Sequence, residues 1–225
     1  MSRLDVVRQV HRTVDEAIRH LFEYGTGPDG EKVVASCGKR CAACCYEPAL
    51  AERSEIALIA QRLLTLDPEA RARVVQRTRD WLARFRDDAE AAREELDTFA
   101  YRKLRLACPL LEDGLCLVYK ERPMACRAHV AIGPVERCDD DALRPDQVFM
   151  ANYDFKAAAL MKLAGGLSEN GRAELLFDHI GVLLAEVLTG ERFESAARTL
   201  MPIEFEDERV EGETTDEGGT AASVG

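Results

Sequence analysis

The residues most able to do chemistry in this sequence are its eight cysteines, which fall into two groups. Thiolates at this density are typical ligands of zinc and iron. In a reducing compartment such thiols bind metal more often than they form disulfides. The two groups therefore predict a metal site, provided that the fold brings them together. The first group is Cys37, Cys41, Cys44 and Cys45, and the second is Cys108, Cys116, Cys126 and Cys138.

The spacing of the first group limits what it can hold. If residues 37–45 were helical, Cys37 and Cys44 would stand ~10.5 Å apart along the axis. A single tetrahedral zinc needs its sulfurs within roughly 3.8 Å of one another. Either the segment is a loop, as Gly38 indicates, or its thiolates hold something larger than one ion. The side chains of adjacent residues point in different directions, so we do not expect Cys44 and Cys45 to be equivalent. One is expected to be a ligand, and the other either binds a second metal or packs in the core.

A free cysteine can also be simply a small buried apolar residue. That interpretation suits Cys138, which stands apart from the others, as well as ligation does. It does not suit the clustered cysteines, because so many thiols in two dense groups far exceed ordinary usage. We therefore expect metal ligands among them.

The residues around these cysteines resemble those of a known family. Cys37…Cys41…Cys44-Cys45 is followed by Cys108-Pro109-Leu110-Leu111, then by Gly114-x-Cys116-x-Val118-Tyr119-x-x-Arg122-Pro123-x-x-Cys126-Arg127. This pattern over residues 37–138 is similar to that of the YkgJ-type cysteine-cluster family, described as a zinc- or iron-chelating domain. The resemblance implies metal chelation. Some relatives are flagellin lysine methylases in which an iron–sulfur cluster is implicated, but this chain is much shorter and shows no flagellin-specific feature.

The choice between zinc and iron can be weighed from the spacing. Closed zinc sites of four cysteines usually present paired C-x2-C knuckles, and only Cys41-x2-Cys44 has that form. Iron–sulfur ferredoxins gather three close cysteines and a remote one followed by proline, which Cys37, Cys41, Cys44 and Cys108-Pro109 approximate. This comparison favours iron slightly. The same triplet occurs in radical S-adenosylmethionine enzymes, but the βα repeats of their barrel are missing here.

Charged and basic side chains near the second group are candidates for a supporting role. Four thiolates around a divalent ion leave a net negative charge, which requires nearby cations or N–H donors. Arg122 and Arg127 bracket Cys126 and are expected to supply them. His129 is either a nitrogen ligand, a group that supports the ligands, or an ordinary hydrogen-bonded histidine. His11 carries no ligand spacing.

Charge is distributed unevenly along the chain. Of the formal net charge of −11, residues 203–225 carry −7, from eight acidic residues against Arg209. This predicts one helical domain over residues 1–202 and an acidic disordered tail over 203–225, which offers a surface to a protein partner. The mixed-charge region 67–105 has no basic stripe that could follow phosphates, so we expect no nucleic acid partner.

The fold class predicted from apolar spacing is mainly α. Aromatic residues make up only 6% of the chain, which disfavours a β-sandwich. Asp113-Gly114 between apolar residues favours a tight turn. We expect a compact helical domain with one short β-hairpin and a cysteine-rich metal site that joins two loops, 37–45 and 108–138. Helices are predicted over residues 3–24, 56–64, 68–85 with a continuation towards Leu106, 149–163, 168–189 and 191–200. Asp67 is the expected N-cap of the third helix, Leu64 is expected on the apolar face of the second, and Gly165-Gly166 is expected to end the fourth.

The sequence lacks features that would direct it to a membrane. No stretch reaches the ~18–20 apolar residues of a membrane span, and residues 1–8 lack the apolar region of a secretory signal. We therefore expect a cytoplasmic protein.

The predicted function of the protein is metal binding, with zinc, iron or an iron–sulfur cluster, in a cellular role that the sequence leaves open. The alternative is an iron–sulfur-dependent enzyme related to protein lysine methylases. A closed site favours the first, and an open iron beside a pocket favours the second.

Overall fold

The computed structural model describes residues 1–26, 30–35, 37, 40–47, 49–89, 104–132, 149–150, 153–193, 195 and 198–204. Cys138 and the acidic stretch from residue 205 onwards lie outside these residues, as does most of the predicted helix continuation towards Leu106. No helix in the described part of the chain is long and apolar enough to cross a membrane. The α-helices there are α1 (Arg3–Tyr24), α2 (Arg53–Leu63), α3 (Pro68–Ala89), α4 (Met124–Arg127), α5 (Tyr153–Leu167) and α6 (Ile180–Thr189).

The first three helices form where the apolar spacing predicts them. A capping box begins α1, since the Ser2 hydroxyl accepts from the Asp5 N–H and the Asp5 carboxylate accepts from the Ser2 N–H. The expected cap of α3 is confirmed, because the Ala70 N–H donates to Asp67 Oδ1 over 2.8 Å. At the end of α2, Leu64 is 69% exposed, so the prediction that it lies on the apolar face is wrong.

The predicted β-hairpin is confirmed. Strand β2 (Leu111–Glu112) pairs antiparallel with β3 (Leu115–Cys116). The turn residues Asp113 and Gly114 have φ values of 51° and 73°. A two-residue hairpin turn of this kind requires positive φ at both positions, which Asp-Gly tolerates. The hairpin brings Cys116 back towards Cys108.

Two further antiparallel sheets in the described residues were not predicted from the sequence. One is three-stranded in the order β1-β6-β7, with Leu50 opposite His179 and Phe177 opposite Thr199. The other pairs β4 with β5. The protein is therefore mainly α with more β structure than a single hairpin. The strands are β1 (Leu50–Glu52), β4 (Ala131–Ile132), β5 (Phe149–Met150), β6 (Arg172–His179) and β7 (Thr199–Glu204).

The prediction of one helix over 168–189 is wrong in its first half, because residues 172–179 form β6 and α6 begins only at Ile180. Asn170 and Gly171 have φ values of 55° and 77°, so the chain turns back after α5. Beyond the turn, Ala173 and Leu175 are buried while Arg172 and Glu174 are exposed, which is the two-residue period of a strand. Residues 172–179 form a strand because they pair with β1, which is distant in the sequence.

The prediction of a final helix over 191–200 is also wrong. Residues 191–193 have no regular structure, and the chain then enters β7, which pairs with β6. Pro202 lies on this edge strand, the position in a sheet at which proline, which lacks an N–H, is usually found. The strand extends to Glu204, beyond residue 202, where we expected the domain to end.

Helix α5 differs from the prediction at both ends. It begins at Tyr153 and passes through Gly165-Gly166, where the sequence predicts its end. A Cβ added at Gly166 would lie 2.4 Å from Val6 Cγ1. The glycine therefore serves the close approach of α1 and α5 and does not end the helix.

An apolar cluster between α2, α3 and α6 supports the region that carries the cysteines. Ile56, Val118 and Leu184 are fully buried in it. Its formation removes aliphatic surface from water, which is the main stabilising contribution of such a core. The cysteines that pack against it are Cys108, Cys116 and Cys126.

Helices α3 and α6 approach each other closely at Gly181. A Cβ at this position would lie 2.3 Å from Cε3 of Trp81. Trp81 is 6% exposed and is stacked on Phe85 with ring centroids 4.6 Å apart, so the indole has little room to move. Gly181 is therefore required by packing.

We predict that Gly181→Ala lowers the free energy of unfolding by up to about 2 kcal/mol. Overpacking a core costs about 1–3 kcal/mol, and the ~1 kcal/mol that alanine gains over glycine in a helix offsets part of this cost. Urea denaturation measures the difference. In a Trp81→Leu background the added methyl group has space, so the same substitution should cost little; an equal loss in both backgrounds would contradict the explanation.

Candidate metal centre

The two cysteine-bearing segments meet through their backbones. The first contains a short 3₁₀ turn, Ala43–Tyr46, and leads into β1. The second runs from Cys108 through the β2–β3 hairpin to α4. The Cys108 N–H donates to the carbonyl of Cys45 over 2.7 Å. This hydrogen bond brings the first turn directly against the start of the second segment.

The segments enclose a cavity of ≈ 550 Å³. Every cysteine in the described part of the chain lines it, and so do Arg122, Arg127 and His129. Cys37 is exposed, and the others are partly buried. The fold thus brings together the two groups that the sequence separates, with the exception of Cys138, which lies outside the described residues. The cysteines around the cavity are Cys37, Cys41, Cys44, Cys45, Cys108, Cys116 and Cys126.

Burial raises the thiol pKa values in the second group. It is the largest influence at Cys108, Cys116 and Cys126, and it raises the pKa of Cys126 to about 12. The thiols also act on one another, since ionising one disfavours ionisation of its neighbours. At Cys44 the hydrogen bond with Cys45 is the largest influence and raises the pKa, followed by burial. Without a metal the cavity therefore favours neutral thiols.

Backbone N–H groups point at several of the sulfurs. The Leu110 N–H donates to the sulfur of Cys108, and the Val118 N–H donates to that of Cys116. In both cases the donor lies two residues after the cysteine, so the same local turn occurs twice. The sulfur of Cys37 accepts from Ala131. Such bonds stabilise the thiolate form and orient a ligand towards its ion.

The two arginines predicted to support the site differ in their surroundings. Burial raises the pKa of Cys37, Cys116 and Cys126, and the charge of Arg122 counteracts it in all three. Its guanidinium lies 4.0 Å from the ring centroid of Tyr119. Arg122 therefore lies close enough to the thiols to offset negative charge.

Arg127 is 3% exposed and is held by other groups. Its guanidinium donates to the Asp15 carboxylate and to the carbonyls of Lys120 and Arg122. These hydrogen bonds hold the turn before α4 against α1. Arg127 lines the cavity, but the partners of its N–H groups belong to the surrounding fold.

A buried carboxylate that the sequence did not single out holds the helix of Cys126. Glu55 Oε1 lies 2.8 Å from His11 Nε2 and accepts from the Met124 N–H over 2.7 Å, while Oε2 accepts from the Glu52 N–H over 3.0 Å. Glu55 is 1% exposed and His11 is 3% exposed. The hydrogen bonds of Glu55 thus link α1, α2 and α4 near the cavity.

A partial signal for these residues exists in the sequence. His11 and Asp15 are four residues apart, so they share a face of α1 next to its buried valines. Of the two, His11 is buried, and a buried polar residue must find a partner inside the fold. The sequence does not name those partners, because Glu55 and Arg127 come from distant parts of the chain.

The side chains do not converge on one point. Among the described residues, no three His, Cys, Asp or Glu side chains are arranged so that they could hold one ion. The thiols surround the cavity, and ligation requires some of them to rotate inwards. The chemistry of the donors still fits zinc or iron, since soft thiolates are the ligands that select these metals.

We predict that Glu55→Ala loosens residues 119–127 selectively. The variant leaves the Met124 N–H and His11 without their buried acceptor, at a cost of about 3–5 kcal/mol. Hydrogen exchange of a peptide over 119–128 should accelerate, while exchange in α5 does not change. Glu16→Gln, at an exposed site on α1, serves as the control. Unchanged exchange at Met124 in Glu55→Ala would contradict the role given to this carboxylate.

Comparison with known proteins gives one match. Residues 36–146 match the model of the CxxCxxCC family, described as "Putative zinc- or iron-chelating domain". Neither a curated protein nor a solved structure matches the chain. The matched range contains all the cysteines of both groups and both segments that enclose the cavity. Over residues 36–146 the chain is thus similar to the CxxCxxCC cysteine-cluster family.

Proposed function

We propose that the protein chelates zinc or iron through the cysteines of the cavity. The observation that carries the proposal is that seven cysteines from two distant segments line a single cavity. Unrelated buried cysteines would be expected at scattered positions in the core. The description of the family as zinc- or iron-chelating supports the same function.

The surroundings of the sulfurs support ligation. Thiolates must replace thiols when a metal binds, and burial alone opposes that change. The N–H groups of Leu110 and Val118 and the charge of Arg122 act in the opposite direction. A divalent ion supplies the remaining positive charge. When bound, the metal cross-links the two segments through its sulfur ligands.

The number of thiols in the cavity favours a closed chelating site. One tetrahedral ion needs four thiolates, and the cavity offers more than that. Every coordination position can then be filled by the protein, which leaves no open position for a substrate. Cys138 and His129 remain candidate ligands. The enzymatic alternative, an iron–sulfur protein related to lysine methylases, stays a prediction of the sequence resemblance.

We predict that protein purified without oxygen contains metal bound through sulfur. Either stoichiometric zinc without colour or iron with sulfur-to-iron charge-transfer bands is expected. Elemental analysis and the visible absorption spectrum measure the two cases. Cys108→Ser and Cys126→Ser should each lose metal, because their sulfurs are the most deeply set against the apolar core. A folded parent chain that contains no metal would rule out the proposed function.

A second prediction concerns the link between metal and folding. If one site joins both segments, Cys41→Ser and Cys126→Ser should each increase hydrogen exchange over residues 40–47 and 108–130 together. Helix α6 should stay protected, because its apolar face is buried independently of the metal. If Cys41→Ser loosens only the first segment and Cys126→Ser only the second, the cysteines do not share a site.

A further inference from the structure

A second cavity contains no cysteine and is rich in cationic side chains. Residues of α1, α2, α4 and the 3₁₀ turn Tyr119–Glu121 line it. Its volume of ≈ 230 Å³ leaves room for an ion of several atoms, because a cavity of about 10–15 Å³ already holds a water molecule. Buried Leu58 forms an apolar part of its wall. The cationic residues of this basic cavity are Arg8, Arg12, Lys120 and Arg127.

The charges around the basic cavity do not balance. Its four cationic side chains face two carboxylates, those of Asp15 and Glu121. Both carboxylates already have cationic partners, since Asp15 binds Arg127 and Glu121 Oε2 lies 3.9 Å from Arg62 Nε. The carboxylates therefore do not neutralise the remaining cations of the cavity.

Two of these cations lack a partner. Arg8 has one, because its guanidinium lies 3.2 Å from the Asp5 carboxylate and also donates to Gln61. In the part of the chain that the structure describes, the guanidinium of Arg12 and the ammonium of Lys120 make neither a hydrogen bond nor an ion pair. A concave site lined by charges of one sign concentrates counter-ions. The basic cavity is therefore suited to an anion.

The polar groups of the cavity indicate which anion fits. Arg12 and Lys120 supply two positive charges, which match a divalent oxyanion, and a guanidinium fork fits two oxygens of a phosphate. His11 also lines the cavity, and its Nδ1 is buried with no hydrogen-bond partner among the described residues. Because Nε2 faces the Glu55 carboxylate, Nδ1 is the accepting nitrogen of the neutral ring. Hydrogen phosphate has an O–H group that can donate to this nitrogen, whereas sulfate has none at neutral pH.

We propose that the basic cavity binds inorganic hydrogen phosphate, held by Arg12 of α1 and Lys120 of the 3₁₀ turn. The bound ion links α1 to the segment that precedes Cys126, because the carbonyl of Lys120 also accepts from Arg127. Binding should therefore order residues 119–127. The inference goes beyond the proposed chelating function and does not depend on it.

The test is isothermal titration calorimetry of the full chain with inorganic phosphate at constant ionic strength and about pH 7.5. One equivalent should bind, and hydrogen exchange over residues 119–127 should slow in its presence. Sulfate and glycerol 3-phosphate separate the free ion from other divalent oxyanions, since at this pH their charged groups carry little or no O–H. Each should bind about tenfold more weakly, because the hydrogen bond to His11 is lost.

Variants of exposed cations identify the residues that hold the ion. Arg12→Gln and Lys120→Gln should each weaken phosphate binding by about tenfold or more, because each removes a charge-assisted hydrogen bond. Arg19→Gln is the matched control, since it removes the same charge from an exposed site on α1 that does not line the basic cavity. Its affinity should equal that of the parent chain. Far-ultraviolet circular dichroism verifies that each variant is folded.

Three results would overturn the inference. The first is the absence of phosphate binding by the parent chain at millimolar concentration. The second is an equal loss of affinity in Arg12→Gln and Arg19→Gln, which would show general attraction by surface charge. The third is binding of sulfate as tight as that of phosphate, which would rule out the choice of hydrogen phosphate. The metal content of the protein tests the proposed chelating function separately, so failure of one leaves the other standing.

Discussion

The arrangement of the cysteine cavity depends on the hydrogen bonds of the Glu55 carboxylate. Glu55 is 1% exposed, and its carboxylate meets His11 of α1, the N–H of Met124 in α4 and the N–H of Glu52 before α2. A buried carboxylate costs several kcal/mol unless such partners surround it. The three elements therefore cannot separate without leaving polar groups unpaired, and α4 carries Cys126.

The cavity combines two requirements that oppose each other. Packing against the aliphatic cluster stabilises the metal-free fold, and it also raises the thiol pKa values at Cys108 and Cys126. Ligation needs thiolates, which an apolar wall disfavours. Backbone N–H groups at the sulfurs and the charge of Arg122 reduce this conflict, and a bound ion would resolve it. Under the proposed chelating function, metal binding and the order of the two segments would be coupled for this reason.

Local patterns predicted the elements whose structure depends on neighbouring residues. The period of α1, the Asp67 cap of α3 and the Asp113-Gly114 hairpin are of this kind. The pattern failed at residues 172–179, where Leu175 and Leu176 also fit a helical face. The Asn170-Gly171 turn is a local signal for a hairpin, but pairing with β1 and β7 depends on residues beyond any local pattern.

The sequence by itself determined the resemblance to the cysteine-cluster family and the thiols that the proposed metal site would use, through the spacing of Cys37 to Cys45 and Cys108 to Cys126. It also determined the hairpin that returns Cys116 towards Cys108. Only the tertiary structure decided that the seven described cysteines share one cavity, that Arg122 acts on the thiols while Arg127 binds Asp15, and that Glu55 holds the Cys126 helix. Each of these depends on residues far apart in the chain, and such contacts are chosen by packing and by the pairing of buried polar groups rather than by spacing.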